Sequence, residues 1–400
     1  TTIATSGAAT ITGALTSGAG GAVGAAGTAT SVAGIPFYQG DTGSIYTHDV
    51  SGTDSTAQYN TAYGIGALDA ITTGDNNVAV GHQAGSGITT GEKNVAVGKE
   101  SLITDTQGSR SVAIGHSALK NQNFTSATNS NNVAVGFFAA EDLTTGVSNT
   151  IIGSQAGEKI TTGDNNVALG FDALSNVDTE DHNLAVGANA LGGAIAGGEY
   201  NVAIGNNSLD ALTSGDQNTA IGFNAGSEDT TGSLNTFLGY QAGRDNTTAS
   251  DNVAIGAQSM FNGTTTGNSN VAVGSNTLGV LTSGTRNIAV GYGASNAFDA
   301  ENDNLAIGVN ALGGAVNGGE ENVAIGNYSL DALTTADNNV AVGYQAGSAI
   351  TTGGSNVIIG NDAGLLCTSA GGVIFIGTRA GDGHDTEGNN LGIGKDALGG

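Results

Sequence analysis

Residues 77–98 read NVAVGHQAGSGITTGEKNVAVG, two copies of one pentapeptide seventeen residues apart. Outward from this stretch the pentapeptide and its close variants recur twenty times, the glycine running from Gly64 to Gly394. Of the nineteen intervals fifteen are 17 residues, three are 18, and one, Gly115 to Gly136, is 21. So regular a period marks a solenoid, whose units are too small to bury a face alone and stack to do so. A longer echo overlies it. Asn183 to Ser227 is nearly repeated at Asn304 to Ser348, seven units later, so blocks of units have been duplicated.

With the glycine as position 0, each position is sharply typed. Position −4 is Asn in eighteen copies, the exceptions being Ser111 and Val373. Position −3 is Val, Ile, Leu or Thr and −1 is almost always Val, Ile or Leu. Between them −2 is Ala in fifteen copies and otherwise Ile151, Phe237, Ile358, Phe375 or Gly392. This alternation of period two predicts a short strand. Position +3 is small in every copy, +4 is mostly Leu or Gly, and a corner such as Thr161-Thr162-Gly163-Asp164 leads to the next Asn.

Each unit is therefore expected to run strand, corner, short strand, corner. The fold class is all-β: a parallel β-roll, or β-solenoid, of about twenty coils of 17–18 residues over residues 60–400. Equal coils keep the register that stacking demands. The 21-residue interval, near Asn121 to Ser130, is expected to bulge as a surface loop. At about 4.8 Å per coil the stack would be about 95 Å long.

The aliphatic residues at −3 and −1 are expected to point into the coil. Asn77, Asn94, Asn132, Asn166, Asn201, Asn252, Asn322 and Asn339 are expected to form a structural ladder at one corner. There each would hydrogen-bond its neighbours above and below, or hold a backbone conformation that most residues avoid. The Ala column becomes Ile or Phe, never charged, where it changes, and so reads as covered, by the opposite strand of the coil or by a second chain. Position +1 carries Phe137, Phe171, Phe223, Tyr240, Tyr292 and Tyr344 and reads as a stacking column.

Composition narrows the function. Sixty-nine glycines, one proline, no tryptophan and 5% aromatics leave no material for a thick core. Nine Lys and Arg against 35 Asp and Glu give a formal charge of −26, which repels phosphate backbones and anionic membrane surfaces. Cys367 is the single cysteine, so no intrachain disulfide and no Cys/His metal site can form. No apolar run is long enough to cross a membrane as a helix. The start at Thr1 and the stop at Gly400, partway through a unit, read as a processed or trimmed piece of something longer.

NVAVG followed by two variable positions and a small residue, as in Asn322–Ser329 (NVAIGNYS), resembles the head repeat of YadA-like trimeric autotransporter adhesins. The resemblance covers about residues 60 to 400 and implies a left-handed, trimeric, non-enzymatic β-roll used for adhesion to surfaces. The long arrays of NVAVG, AG and TTG are equally similar to those of phage tail fibres, and Ala8–Ser17 (AATITGALTS) is similar to linker repeats of such fibres. Residues 1–34, rich in Ala, Gly, Thr and Ser, read as a linker or as strands that add to a neighbour. Residues 35–59, with Pro36, Phe37, Tyr38, Tyr46 and Tyr59, read as a cap over the first coil or a docking module for an adjoining fibre or virion protein.

Little points to reaction chemistry. His82 and His116 share the +1 slot with aromatics, and His182 and His384 sit in corners without partners at catalytic spacing. Asp75, Asp164, Asp216 and Asp337 recur in the corners and read as turn caps. Ca²⁺ is the one ion they could attract, and no cofactor is expected. No catalytic site is assigned, and paired carboxylates of a glycosidase are not brought together by the spacing.

The sequence is accordingly read as a non-enzymatic, extracellular structural fibre protein. It would form a trimeric rod that attaches to a cell-surface or matrix receptor, a glycan being one candidate, and would be a phage tail fibre or related virion appendage. A bacterial trimeric adhesin head or a subunit of a self-assembling filament are the alternatives.

Overall fold

The computed structural model describes residues 44–47, 56–314, 316–383 and 385–399 in full, and the backbone of strands Thr16–Ser17, Gly21–Ala22, Thr30–Val32 and Ile35–Gln39. The expected linker over 1–34 and most of the 35–59 segment lie outside the described side chains. So does His384.

β-Branched residues at −3 and −1 favour the extended chain, and in each copy of the repeat the three residues before the glycine form a strand. Each strand pairs in parallel and in register with its equivalent one coil away, as in Val78↔Val95, Ala79↔Ala96 and Val80↔Val97. The result is an all-β parallel β-solenoid of about twenty turns, without a helix among the described residues. Two compact units divide the chain, Thr1–Asn166 and Val167–Gly400. The same coil is used in both.

The glycine at 0 is required twice over. Its φ lies in a region that favours glycine, +139° at Gly81, and a Cβ there would stand 2.5 Å from the carbonyl oxygen of Gly98. Beyond it the expected second strand does not form. Positions +2, +4 and +12 adopt left-handed φ even when they are not glycine, as at Gln83 (56°), Leu102 (49°) and Lys93 (60°). An L-residue in that conformation breaks an extended run, so the far side of the coil is a chain of tight turns. Ile71 N–H donates to Leu68 O at 3.2 Å within one coil, and Leu68 N–H to Ala84 O at 3.1 Å between coils. Extended pairing away from the main strand is confined, among the described residues of the repeat, to Gly108–Ser109 with Thr128–Asn129 and to one bridge, Asn246↔Thr265.

The strand also faces the other way from the expectation. Ala79, Ala96 and Ala113 at −2 are fully buried, whereas Val80 and Ile114 at −1 are 36% and 39% exposed. The interior is too thin to hold a bulky residue from every position, so the small column turns inward and the aliphatic columns turn out. The Ala column is covered from within its own chain: by the small residue at +3, by Leu at +4, and by a column at +7 (Ile71, Ile88, Leu143, Ile160) that sequence reading left in the corner.

Volumes inside the coil are balanced between −2 and +4. Where −2 is Ala, as at Ala62 and Ala113, +4 in the same coil is often Leu, as at Leu68 and Leu119. Where −2 is large, as at Ile151, Phe237, Ile358 and Phe375, +4 is Gly157, Gly243, Gly364 and Gly381. The 21-residue interval departs from expectation as well. Gln122, Phe124 and Ser130 are buried, and only residues 125–127 form an exposed run. Phe124 and Gln122 fill space that the sequence reading assigned to a bulge.

Candidate functional site

The Asn column is built by the backbone on either side of it. The residue before each Asn has a left-handed φ, which turns the amide side chain inside the corner. In the first unit Asn77 N–H donates to Asn60 Oδ1 at 2.8 Å, Asn94 N–H to Asn77 Oδ1 at 2.9 Å, and Asn166 N–H to Asn149 Oδ1 at 2.9 Å. Asn132 Oδ1 accepts from Asn149 N–H at 2.9 Å. In the second unit Asn201, Asn252, Asn322 and Asn339 donate in the same way to Asn183, Asn235, Asn304 and Asn322. Nδ2 reaches onward to the carbonyl at the next corner, as from Asn77 to Gly91 at 2.9 Å and from Asn218 to Gly232 at 2.7 Å. Both ends of a buried amide are thereby satisfied.

At Ser111, where the column lacks its Asn, a polar cluster takes over. Ser111 Oγ lies 2.7 Å from Ser130 Oγ, and Asn132 Nδ2 donates to Gln122 Oε1 at 2.9 Å. Gln122 Nε2 donates to the buried Asp105 carboxylate at 2.6 Å. Burial pushes the Asp105 carboxyl up from its ordinary value. The second unit repeats the device: Asp229 at +7 accepts from Gly232 N–H at 2.8 Å and from Asn246 Nδ2 at 2.9 Å. Burial raises its pKa to about 7. Cys367 occupies the same +7 column, and burial raises its thiol to about 11.

Glu180 and Glu301, separated by the duplicated-block length, replace the usual small residue at +10. Each precedes an 18-residue interval. Glu301 Oε2 accepts from Asp299 N–H at 2.7 Å and Ala300 N–H at 3.1 Å, and its Oε1 from Gly318 N–H at 2.9 Å. Glu180 Oε1 holds Gly197 N–H at 2.8 Å. One carboxylate thus gathers the amides that the extra residue displaces. Sequence reading missed these groups; the signal was a carboxylate in a column of mostly small residues one coil before two of the three 18-residue intervals, Ala249 standing before the third.

The corner carboxylates cap backbone. Asp75, Asp164, Asp216 and Asp337 accept from Gln58, Val147, Glu199 and Glu320 N–H at 2.7, 2.7, 2.9 and 2.8 Å. No group of three or more His, Cys, Asp or Glu that could hold a metal occurs among the described residues. His116 packs against Phe137 and Phe138, and His182 stacks on Tyr200 at 4.8 Å.

In the +1 column Phe223 and Tyr240 lie nearly parallel, their centroids 5.8 Å apart. Tyr344 meets Tyr328 edge-on at 6.2 Å. Phe171 and Tyr292 have no ring beside them among the described residues.

The outer side of the strands is the most distinctive surface. Positions −3, −1 and +1 supply sixty residues over twenty copies, and none is Asp or Glu, although the chain carries 35 of them. Ile152, Leu169, Leu238, Ile307 and Ile359 are among its exposed aliphatics. No family model matches the chain, and no curated protein is similar to it.

Proposed function

We propose that this chain is a non-enzymatic structural fibre protein, in which three copies associate along the outer faces of their strands to make a rod outside the cell. The carboxylate-free apolar face carries the reading. Water-exposed columns of Val, Ile and Leu are costly to leave bare, and a contiguous patch of this kind marks an interaction surface. Fourteen strands of the second unit, spaced about 4.8 Å, with about five residues of width, offer about 1,000 Å². A standard interface needs about 800 Å² per partner.

Excluding acid from this face also keeps the charge of −26 away from the place where copies would meet. Three is the number that the resemblance to adhesin heads and tail fibres implies. A virion tail fibre or related appendage that attaches to a surface receptor fits a rod so monotonous in chemistry.

Light scattering tests this. The expected mass is three times 38.8 kDa, and a mass of one chain would overturn the reading. Ile204→Glu with Ile221→Glu, on neighbouring strands of the face, should return the mass to that of one chain.

A further inference from the structure

On the turn side of the second unit, position +5 carries Arg244, Phe261, Gly279 and Asn296 in four successive coils. Arg244 Cζ lies 3.9 Å from the centroid of the Phe261 ring, and its Nη2 donates to Asp245 at 2.8 Å. The ring is therefore held, and the guanidinium charge is already met. Gly279 then leaves a gap in the column. A groove of about 270 Å³ results, with Phe261 and Gly279 in its lining beside the amides of Gln258, Asn262, Asn276 and Asn296.

Two observations separate this groove from ordinary turn surface. First, left-handed φ at Gln258 (58°) and Asn276 (54°) belongs to every coil and accounts for polar residues there, but not for Phe261, Asn262 or Asn296. Second, Gly279 is not demanded by the backbone. Its φ is not left-handed, and a Cβ on it would meet nothing closer than the Asn296 carbonyl oxygen at 3.4 Å, an ordinary contact. The gap is one that a side chain could fill and none does.

The lining chemistry selects the ligand. No charged side chain lines the groove, in a chain of net charge −26. The side-chain amides of Asn262, Asn276 and Asn296 make no hydrogen bond to protein among the described residues, so each has donors and an acceptor to offer. An anion would find no free cation there, and a cation no carboxylate. A wholly apolar ligand would strip water from the amides without replacing its hydrogen bonds. A sugar ring has both properties required, apolar C–H faces for Phe261 and hydroxyls that donate and accept at once. The volume lies just below the about 300 Å³ at which small-molecule pockets begin, room for one such ring.

We propose that this groove binds a single neutral pyranose residue of a glycan, with Phe261 as the platform and the surrounding amides as the hydroxyl partners. The proposal goes beyond the fibre reading and does not depend on how many chains associate.

The full chain would be applied to a printed array of neutral and acidic glycans, and the best-retained neutral oligosaccharide titrated calorimetrically. Retention of neutral glycans is expected, with affinity falling at least tenfold in Gly279→Leu and in Phe261→Ala. Ser348→Leu, at the same repeat position in another coil, should bind as the native chain does. Gly279→Leu keeps the test open if removal of the half-buried Phe261 disturbs its coil. Exchange of the Asn262 amide, which donates to Gly279 O at 2.7 Å, reports whether that coil is intact. Light scattering on the same samples separates loss of binding from loss of assembly. Retention of acidic glycans alone, retention of none, or native affinity in Gly279→Leu would each overturn the proposal.

Discussion

Phe237 and Gly243 share one volume: a Cβ on Gly243 would lie 2.2 Å from Phe237 Cδ1, and one on Gly226, a coil earlier, 2.6 Å from Cδ2. A large residue on the strand thus takes the space that Leu occupies from the turn side in other coils. Gly243→Ala should destabilise its coil by about 2–4 kcal/mol, from overpacking and from a left-handed backbone. Phe237→Ala should cost about 3–5 kcal/mol through the cavity it opens. The double variant Phe237→Ala with Gly243→Leu recreates the commoner pattern and should cost less than Phe237→Ala and Gly243→Leu made singly and added. Hydrogen exchange of the coil amides, read across the double-mutant cycle, checks this.

Besides the bond its carbonyl accepts from Val202 N–H, Asn218 holds three hydrogen bonds at once, to Asn201 Oδ1 through its own N–H, to Gly232 O through Nδ2, and from Asn235 N–H at Oδ1. Asn218→Ala leaves the Asn235 N–H and the Gly232 carbonyl buried without those partners, at about 2–4 kcal/mol. Asn218→Asp should be at least as damaging, since it loses the donor and adds a buried charge. The Asn235 amide, buried on Asn218 Oδ1, is expected to exchange slowly in the native chain and rapidly in Asn218→Ala. Unchanged protection there would show that the column does not bind its coils together.

Asp229 gives a pH dependence whose sign follows from its environment. Burial raises its pKa to about 7, above the unfolded value, so between about pH 4 and pH 7 the folded chain holds the extra proton. Stability contributed by this group is therefore complete below about pH 4 and declines as pH rises toward 7. Asp229→Asn carries no such titration. Relative to that variant the native chain should lose at most about 1.4 kcal/mol per pH unit across the window, and nothing further above it. Denaturation of the two proteins at a series of pH values gives the difference directly; a native chain that holds or gains stability relative to the variant between about pH 4 and pH 7 would reverse the assignment.

Glu301 ties Gly318 to the coil before it. Glu301→Ala should release the amides of Asp299, Ala300 and Gly318 to exchange while leaving coils farther along protected, because a solenoid's stability is a sum of neighbour terms. Glu180→Ala should do the same at Gly197. Glu301→Gln should fall between native and Ala, keeping one acceptor oxygen and losing the charge.

The coil period and the place of the strand can be read from residues 77–98 because a solenoid maps a one-dimensional repeat onto one structural level per copy. Which face of the strand lies inside cannot be read that way. Val78, Ala79 and Val80 are all apolar, and the habit of placing the larger residue inside fails where the interior is only as wide as an Ala and a Leu. The pairing of Phe237 with Gly226 and Gly243 was the available clue, since only residues that share a volume trade size. The second strand was misread for a backbone reason: Leu102 and Gln83 look extended by composition, but both sit at left-handed φ. At the sites, the direction of the Asn hydrogen bonds is invisible in sequence because an amide is donor and acceptor alike. The groove by Phe261 is invisible because it joins residues from three coils.

The main-chain N–H bonds of the Asn ladder point one way, each reaching back to the side-chain oxygen of the coil made before it, as Asn94 does to Asn77, while Nδ2 reaches onward. A coil leaving the ribosome therefore finds its acceptor already in place. The longest loop it must close is one repeat, whatever the length of the chain, so the entropic cost of adding a level stays constant. Recombination can then add or delete whole copies without slowing maturation, since each new level closes the same short loop on the level before it.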